Sequence, residues 1–371
     1  MRIGILGAGQ LGRMLALAGY PLDHQCVFYD LSGSPSAGIG EIIDDPDGSR
    51  LDEFLDKVDR VTYEFEHLPL EVVRQIADQK PLFPGVKSLA VCQNRAEEKA
   101  LFERLSIPTA AYRLVSTAEE LAEAAESLGC PVVAKSVTEG YDGKGQAVIR
   151  DPREASGAWE RIGHKMLLVE AFVDFSRELS IIAARGQDGE VAIYPMAENV
   201  HVDGILRYSF APAPNLCTEV AAEAEAFIKM LLDELGHVGV LTLELFETPD
   251  GLMANEMAPR VHNSGHWSIE GATTSQFENH LRAVAGLPLG DTVAHRPTCM
   301  INIIGKAGND EDLLRLPYAH LHRYGKAERE GRKIGHVTVQ ADSYEELVWR
   351  VRNCASLLPG TPELSCSLTR K

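Results

Sequence analysis

The sequence predicts a mixed α/β protein of two or three domains, opened by a Rossmann-like parallel sheet. Three observations predict it. The 371 residues exceed one typical domain. The chain begins with a buried-strand pattern, a glycine-rich turn, a helix and a second strand. Beyond the first third, short apolar strands and capped helices succeed one another. Composition is that of a globular protein, 45% hydrophobic and 24% charged. The net charge of −18 argues against nucleic-acid and anionic-membrane partners, while allowing a local basic pocket for a small anion. Seven scattered cysteines without a CxxC pair argue for a reducing compartment and against a zinc or disulfide framework. No signal-peptide pattern and no bilayer-length apolar run are found, so a cytoplasmic location without a membrane partner is expected.

Arg2–Leu6 reads as the first strand, Gly7-Ala8-Gly9-Gln10-Leu11-Gly12 as the turn and Arg13–Tyr20 as the helix. Gln25–Tyr29 is the second strand, ended by Asp30. Three readings of the turn stand level. It can be a dinucleotide site with Asp30 on a ribose, a set of helix-terminal amides holding another phosphate-bearing or anionic ligand, or glycines that only let strand and helix pack. Residues 33–47 read as loop with a short strand. Arg60–Phe65 is the next strand, and Glu64 and Glu66 at its end can meet an amine or solvent. Pro69–Gln79 looks helical.

Asn94 and Glu97 form a capping box for a helix whose apolar stripe is Leu101, Phe102 and Leu105. Arg95 in its first turn opposes the helix dipole, which calls for exposure or for an anionic partner such as phosphate. Thr117 and Glu120 begin another helix, stopped by Gly129. Pro131–Lys135 is a strand with a lysine at its far end, and Glu139–Gly145 places three glycines before the strand Gln146–Ile149. That segment is either a phosphate cover or a surface hairpin, and it lacks Walker A spacing. Lys165–Glu170 and the run opened by Glu178 read as strands; Glu170 can accept from an adenine or ribose, or be an ordinary strand-end acid. His201 follows the strand Val191–Met196, and Thr218–Leu235 is an amphipathic helix ended by Gly236.

Leu241–Trp267 carries the most chemistry. Glu244 and Glu256 each sit among apolar residues, with the turn Thr248-Pro249-Asp250-Gly251 between them. A three-residue loop, Pro249-Asp250-Gly251, centres the hairpin on Asp250 and sets Glu244 directly opposite Glu256. Like charges so placed repel and invite a divalent cation such as Mg²⁺; the alternative is a solvated edge hairpin. Arg260, His262, Asn263, Ser264 and His266 crowd the next loop, where Arg can grip a planar oxyanion and the others add donors. Lys326–Lys333 is the one basic concentration, suited to a phosphate or to solvent. Ser343 and Glu346 cap the last helix.

Together Lys135, EGYDGKG, VEAFVDFSRELS, LTLELF…ANE and PRVHNSGH resemble the ATP-grasp superfamily, and within it the N5-carboxyaminoimidazole ribonucleotide synthetases. The resemblance runs from GAGQLGRM to GRKIGH. It implies a three-domain ATP-grasp fold, with residues 1–94 as the Rossmann-like domain, 95–172 as the central subdomain with a glycine-rich flap, and 173–371 as the C-terminal domain. Arg95, Lys135, Gly140, Tyr141, Asp142, Gly143, Lys144, Gly145 and Gln146 fall where that family contacts ATP. So do Glu170, Ala171, Phe172, Val173, Glu178, His201, Asn255 and Glu256, with Glu244 and Glu256 as Mg²⁺ ligands. Gln10, Leu11, Glu64, Tyr141 and Asp142 fall at the ribonucleotide, and Lys326, Arg332 and Lys333 at its phosphate. Arg260, His262, Asn263 and Ser264 match the loop associated with bicarbonate. The implied activity is ATP- and bicarbonate-dependent carboxylation of 5-aminoimidazole ribonucleotide through carboxyphosphate, by a homodimer. Rival readings are another ATP-grasp ligase or transformylase, a dinucleotide-dependent oxidoreductase, and a nucleotide-binding regulator without turnover.

Overall fold

The computed structural model describes residues 1–138, 145–163 and 165–369. Among these, three sheets form. The first holds β1 (Arg2–Leu6), β2 (Gln25–Asp30), β3 (Glu41–Asp44) and β4 (Arg60–Tyr63), all parallel, in the order β3-β2-β1-β4. Its strands are nearly continuous apolar runs because helices cover both faces of such sheets. β4 stops at Tyr63, short of the expected Phe65, so Glu64 and Glu66 project from the loop beyond the strand. The first helix begins at Gln10, three residues earlier than expected.

The second sheet is antiparallel, with β5 (Tyr112–Val115), β6 (Val132–Ser136), β7 (Gln146–Ile149) and β8 (Leu167–Ala171) in the order β5-β8-β6-β7. The third comprises β9 (Arg177–Arg185), β10 (Val191–Ile193), β11 (Ala197–Val202), β12 (Ile205–Ala211), β13 (Gly239–Thr248), β14 (Gly251–Ala258), β15 (Thr298–Ile304), β16 (Ala319–Arg323) and β17 (Lys333–Gln340). Its order is β14-β13-β9-β11-β12-β15-β17-β16, with β10 paired to β9. The β11–β12 hairpin and β15–β17 extend what the residue patterns suggested. Val202 pairs with Ile205 across Asp203-Gly204, whose φ values of 54° and 73° are both positive, as a tight two-residue hairpin turn requires. His201 therefore lies on a strand.

Helix signals resolve as the residues imply. Asn94 accepts from the Ala96 and Glu97 amides, Thr117 from Glu120 and Ser343 from Glu346. Gly236, at φ 56°, ends the helix Thr218–Leu235 in the left-handed conformation. One core cluster joins Ile5, Leu11 and Met14 of the N-terminal lobe to Val240, Trp267, Phe277 and Leu281. A second packs Leu101 and Phe102 against Leu179, Leu243 and Met257 of the large sheet, together with Phe227 and Leu231. The small antiparallel sheet has its own core around Leu121, Val132, Val169 and Trp159. The helix Arg95–Arg104 thus packs on the large sheet while leading into the small one. No helix among the described residues is long and apolar enough to cross a membrane.

Candidate active site

The glycine loop is already occupied by the chain itself. The Glu64 carboxylate accepts the amides of Gly9 and Gly12, the latter at 2.7 Å, and is buried. A Cβ at position 9 would stand 2.7 Å from a Glu64 oxygen, so the loop must be glycine to receive it. Asp30 accepts from the Ala8 amide at 2.9 Å and from the Ser32 amide at 2.8 Å. The two acids thus bind the chain where the dinucleotide reading had put pyrophosphate and ribose. The helix-terminal amides that the second reading offered to an anionic ligand are likewise taken by a side chain of the protein, Glu64. Gln10 at the helix start accepts from the Lys326 ammonium, and Leu11 is buried behind it.

On the small sheet, Lys135 of β6 and Glu170 of β8 meet at 2.5 Å. Their strands are neighbours, with Val133 opposite Glu170. The other Glu170 oxygen meets the Lys99 ammonium at 2.6 Å. Burial raises the Glu170 carboxyl, but Lys135 and Lys99 outweigh it and hold it down at about 2. Arg95 donates from Nη1 to the Ser136 carbonyl at 2.9 Å. Gly145 accepts from the Ser136 amide at 2.9 Å with φ 70°, and Gln146 opens β7. Ala171 ends β8; Phe172 beyond it is 54% exposed and Val173 is half-buried, so this edge can face a ligand. Gly140, Tyr141, Asp142, Gly143 and Lys144 lie outside the described residues.

The carboxylate hairpin differs from the expected register. Thr248 pairs with Gly251, so the loop is the two residues Pro249-Asp250. That shifts the ladder by one, and a bulge between Leu243 and Leu245 shifts it back, with Leu243 opposite Met257 and Leu245 opposite Ala254. Asn255 and Glu256 therefore share the place facing Glu244, a two-against-one bulge that re-aims side chains. Burial, then Glu256, raises the Glu244 carboxyl to about 7. Glu178 of β9 shares this neighbourhood and pairs with His201 of β11. Burial opposes charge on His201, and Glu178 more than compensates, raising its pKa. Two carboxylates that repel one another, Glu244 among them largely removed from water, are a donor set that fits a hard divalent cation.

The donor loop closes on the same hairpin. Arg260 forks onto Glu66, with Nε to Oε2 at 2.5 Å and Nη2 to Oε1 at 2.9 Å. Despite its burial, Glu66 is pulled down to about 2 by that guanidinium. The Ser264 amide donates to His262 Nδ1 at 3.3 Å, which leaves the ring proton on Nε2, aimed at Glu244 Oε1 3.4 Å away. Burial, then Arg260 and Lys333, push His262 well below the usual histidine range, so the ring is neutral. Ser264 is fully buried and accepts from the Ser180 hydroxyl at 2.9 Å. Asn263 exchanges two amide hydrogen bonds with Asn302 of β15, at 3.0 and 2.7 Å.

The basic stretch divides. Lys326 reaches Gln10 and the neighbourhood of Glu64, whereas Lys333 acts electrostatically on Glu244, His201 and His262. Arg332 donates to the Ala327 carbonyl at 3.4 Å. The structure thus gathers Glu178, His201, Glu244, Glu256, His262 and Lys333 in one neighbourhood. Lys326, Gln10 and Glu64 adjoin the glycine loop, and Lys135 and Glu170 lie on the small sheet. Two participants escaped the residue patterns. Lys99 reads as one more exposed helix charge, yet it is 2% exposed. Glu98, its neighbour, accepts the Met257 amide at 2.7 Å and is pushed up to about 8, by burial and then by Glu256. The stripe Leu101–Phe102 was the available signal, because it turns residues 98 and 102 toward one side.

Comparison with known proteins gives three family matches: a ribonucleotide synthetase preATP-grasp domain over residues 1–93, an ATP-grasp domain over 100–277, and a phosphoribosylaminoimidazole carboxylase C-terminal domain over 298–350. The chain is 44% identical over 361 residues to N5-carboxyaminoimidazole ribonucleotide synthase of Pseudomonas aeruginosa, covering 96% of this chain and 99% of that protein. It is 38% identical over 358 residues to the Escherichia coli protein of the same name, covering 96% of this chain and 95% of the relative. The crystal structure of N5-carboxyaminoimidazole ribonucleotide synthetase from Thermus thermophilus superposes with a TM-score of 0.92 at 45% identity, over 98% of this chain and all, 100%, of the other. The Aspergillus clavatus enzyme in complex with ADP and 5-aminoimidazole ribonucleotide superposes at 0.88 with 32% identity, over 96% and 98% of the two chains.

Proposed function

This chain belongs to the N5-carboxyaminoimidazole ribonucleotide synthase family of ATP-grasp ligases, and on that premise we propose how its residues divide the reaction. The reaction is the ATP-dependent carboxylation of 5-aminoimidazole ribonucleotide to N5-carboxyaminoimidazole ribonucleotide, with release of ADP and phosphate. The observation that carries the assignment is the convergence of the Glu244–Glu256 bulge with the Arg260–Ser264 loop: a place for Mg-ATP beside a place for a small oxyanion.

Bicarbonate supplies the carbon. Its oxygen attacks the γ-phosphorus of ATP, ADP leaves, and the product is carboxyphosphate. The exocyclic amine of the ribonucleotide then attacks the carboxyl carbon, phosphate leaves, and the amine loses a proton. No protein nucleophile is needed, so the residues position groups and balance charge. Arg95, Lys135 and Lys144 hold phosphates; the glycine-rich segment 140–146 covers them; Ala171–Val173, Glu178, His201 and Asn255 line the nucleotide, and Glu170, with both oxygens on lysines, holds Lys135 toward it. Glu244 and Glu256 hold Mg²⁺, which when bound offsets charge on the phosphate oxygens. Neutral His262 directs its Nε2 proton along the Glu244 face, and Arg260, Asn263 and Ser264 shape the bicarbonate end. Because Glu66 engages the Nε–Nη2 edge of Arg260 and the Val261 carbonyl accepts from Nη1 at 3.0 Å, this arginine reaches an oxyanion with the remaining N–H groups of Nη1 and Nη2. Gln10, Leu11, Glu64, Tyr141 and Asp142 meet the ribonucleotide, and Lys326, Arg332 and Lys333 its phosphate. We divide the chain into domains 1–94, 95–172 and 173–371, and place it in the cytoplasm as a homodimer.

The test is ADP release with aminoimidazole ribonucleotide and bicarbonate supplied together and singly. Release that needs both substrates is expected. ADP formation indifferent to the ribonucleotide contradicts the reading.

A further inference from the structure

We infer that Lys99 is a positioning residue of the nucleotide site: its buried ammonium takes half of Glu170 so that the Lys135–Glu170 pair keeps a net positive charge for phosphate. This rests on the reading of Lys135 as a phosphate-gripping residue.

An ammonium has three donors, and Lys99 spends all three inside the protein. They go to Glu170 Oε1 at 2.6 Å, the Thr109 hydroxyl at 2.6 Å and the Asn255 carbonyl at 3.1 Å. It is 2% exposed and so sealed from any ligand, whereas the Lys135 side chain is 16% exposed. The division of labour follows from charge. Lys135 with Glu170 alone sums to zero and attracts phosphate weakly. Adding Lys99 makes the cluster two cations and one anion, a net charge of +1 whose accessible end is Lys135. The same ammonium joins three pieces of chain: Glu170 on the small sheet, Asn255 in the bulge of the large sheet, and Thr109 in the segment that leads from the helix Arg95–Arg104 into β5. Thr109 in turn donates to the Ala254 carbonyl at 3.0 Å. Lys99 therefore sets the spacing between the phosphate-side lysine and the bulge that carries Glu256. Desolvating an ammonium is expensive unless it is fully hydrogen-bonded and paired, and here it is both.

Calorimetric titration of the full chain with Mg-ADP tests this. Lys99→Met is expected to bind ADP about 10–100-fold more weakly, with the KM for the ribonucleotide unchanged. Lys99→Gln keeps donors for Thr109 and Asn255 without the charge, and is expected to lose as much. Adding Glu170→Gln to Lys99→Met restores the net charge of +1 and is expected to recover ADP binding to within about threefold of the parent. A purely structural Lys99 would show no such recovery. Parental ADP affinity in Lys99→Gln, or no recovery in the double variant, overturns the inference. Lys135→Met separates the two claims: weakened ADP binding in it with parental binding in both Lys99 variants overturns the Lys99 role alone, while unchanged binding in Lys135→Met overturns the phosphate reading and this inference with it.

Discussion

Two buried carboxylate sites lie within one molecule and are solved oppositely. Glu170 has a cation on each oxygen and is held down at about 2. Glu244 meets a neutral histidine and a second carboxylate; His201 and Lys333 offset them only in part, and its carboxyl is raised to about 7. Both side chains are largely removed from water, so burial alone does not separate them. The difference is the supply of positive charge. In the first site the acid is fully satisfied and acts as scaffold for Lys135; the second is short of positive charge, as the divalent cation proposed above requires.

Removing the acid from each site gives the sharpest contrast. Glu170→Ala leaves Lys99 and Lys135 facing one another, and a stability loss of about 3–5 kcal/mol is expected in urea unfolding. A loss below about 1 kcal/mol would mean the lysines relax to solvent and the scaffold description is wrong. Glu256→Gln should leave the fold intact while turnover falls by about 100-fold or more, measured as Mg²⁺-dependent ADP release. A fully active Glu256→Gln would remove the metal role.

Titration separates the sites more gently. The folded values of Glu244 and Glu98, about 7 and about 8, lie above the ordinary 4.5, so the native state binds more protons than the unfolded one in that window. Stability of the ligand-free protein should therefore decline as pH rises from about 5 to 8, by several kcal/mol. Glu66 and Glu170, at about 2, act the other way: their contribution is present above the ordinary 4.5 and is lost as pH falls toward 2. Smallest of all, Glu244→Gln should stabilise the ligand-free protein by about 1 kcal/mol and flatten the upper limb, readable by thermal unfolding at pH 8.

Local chemistry was legible in the sequence, and pairing across the fold was not. Asn94, Thr117 and Ser343 announce their helices because a cap bonds amides two or three residues away. Glu244 and Glu256 stand out as acids in apolar strands, but their bulge depends on which loop length wins, and Pro249-Asp250 wins over the three-residue alternative. Asp203-Gly204 is a tight-turn signal of the same kind, and reading it would have put His201 on a strand. Glu66 and Arg260 lie 194 residues apart, so nothing local suggests that the acid engages the arginine. Lys99 and Glu98 look like ordinary surface charges; only the packing of their helix against the large sheet buries them. GxGxxG was the most conspicuous motif and the least specific, since its amides bind Glu64 of the same chain.

The contrast between a finished site and an unfinished one can be measured directly by counting protons. Titrating Mg-ADP into the protein at pH 7 in buffers of different ionisation enthalpy gives the protons exchanged on binding. A cation arriving at Glu244 and Glu256 must displace the proton that Glu244 retains, so net release is expected, and it should shrink in Glu244→Gln. Binding without net proton release, or with the same release in Glu244→Gln, would contradict a carboxylate pair poised for a metal.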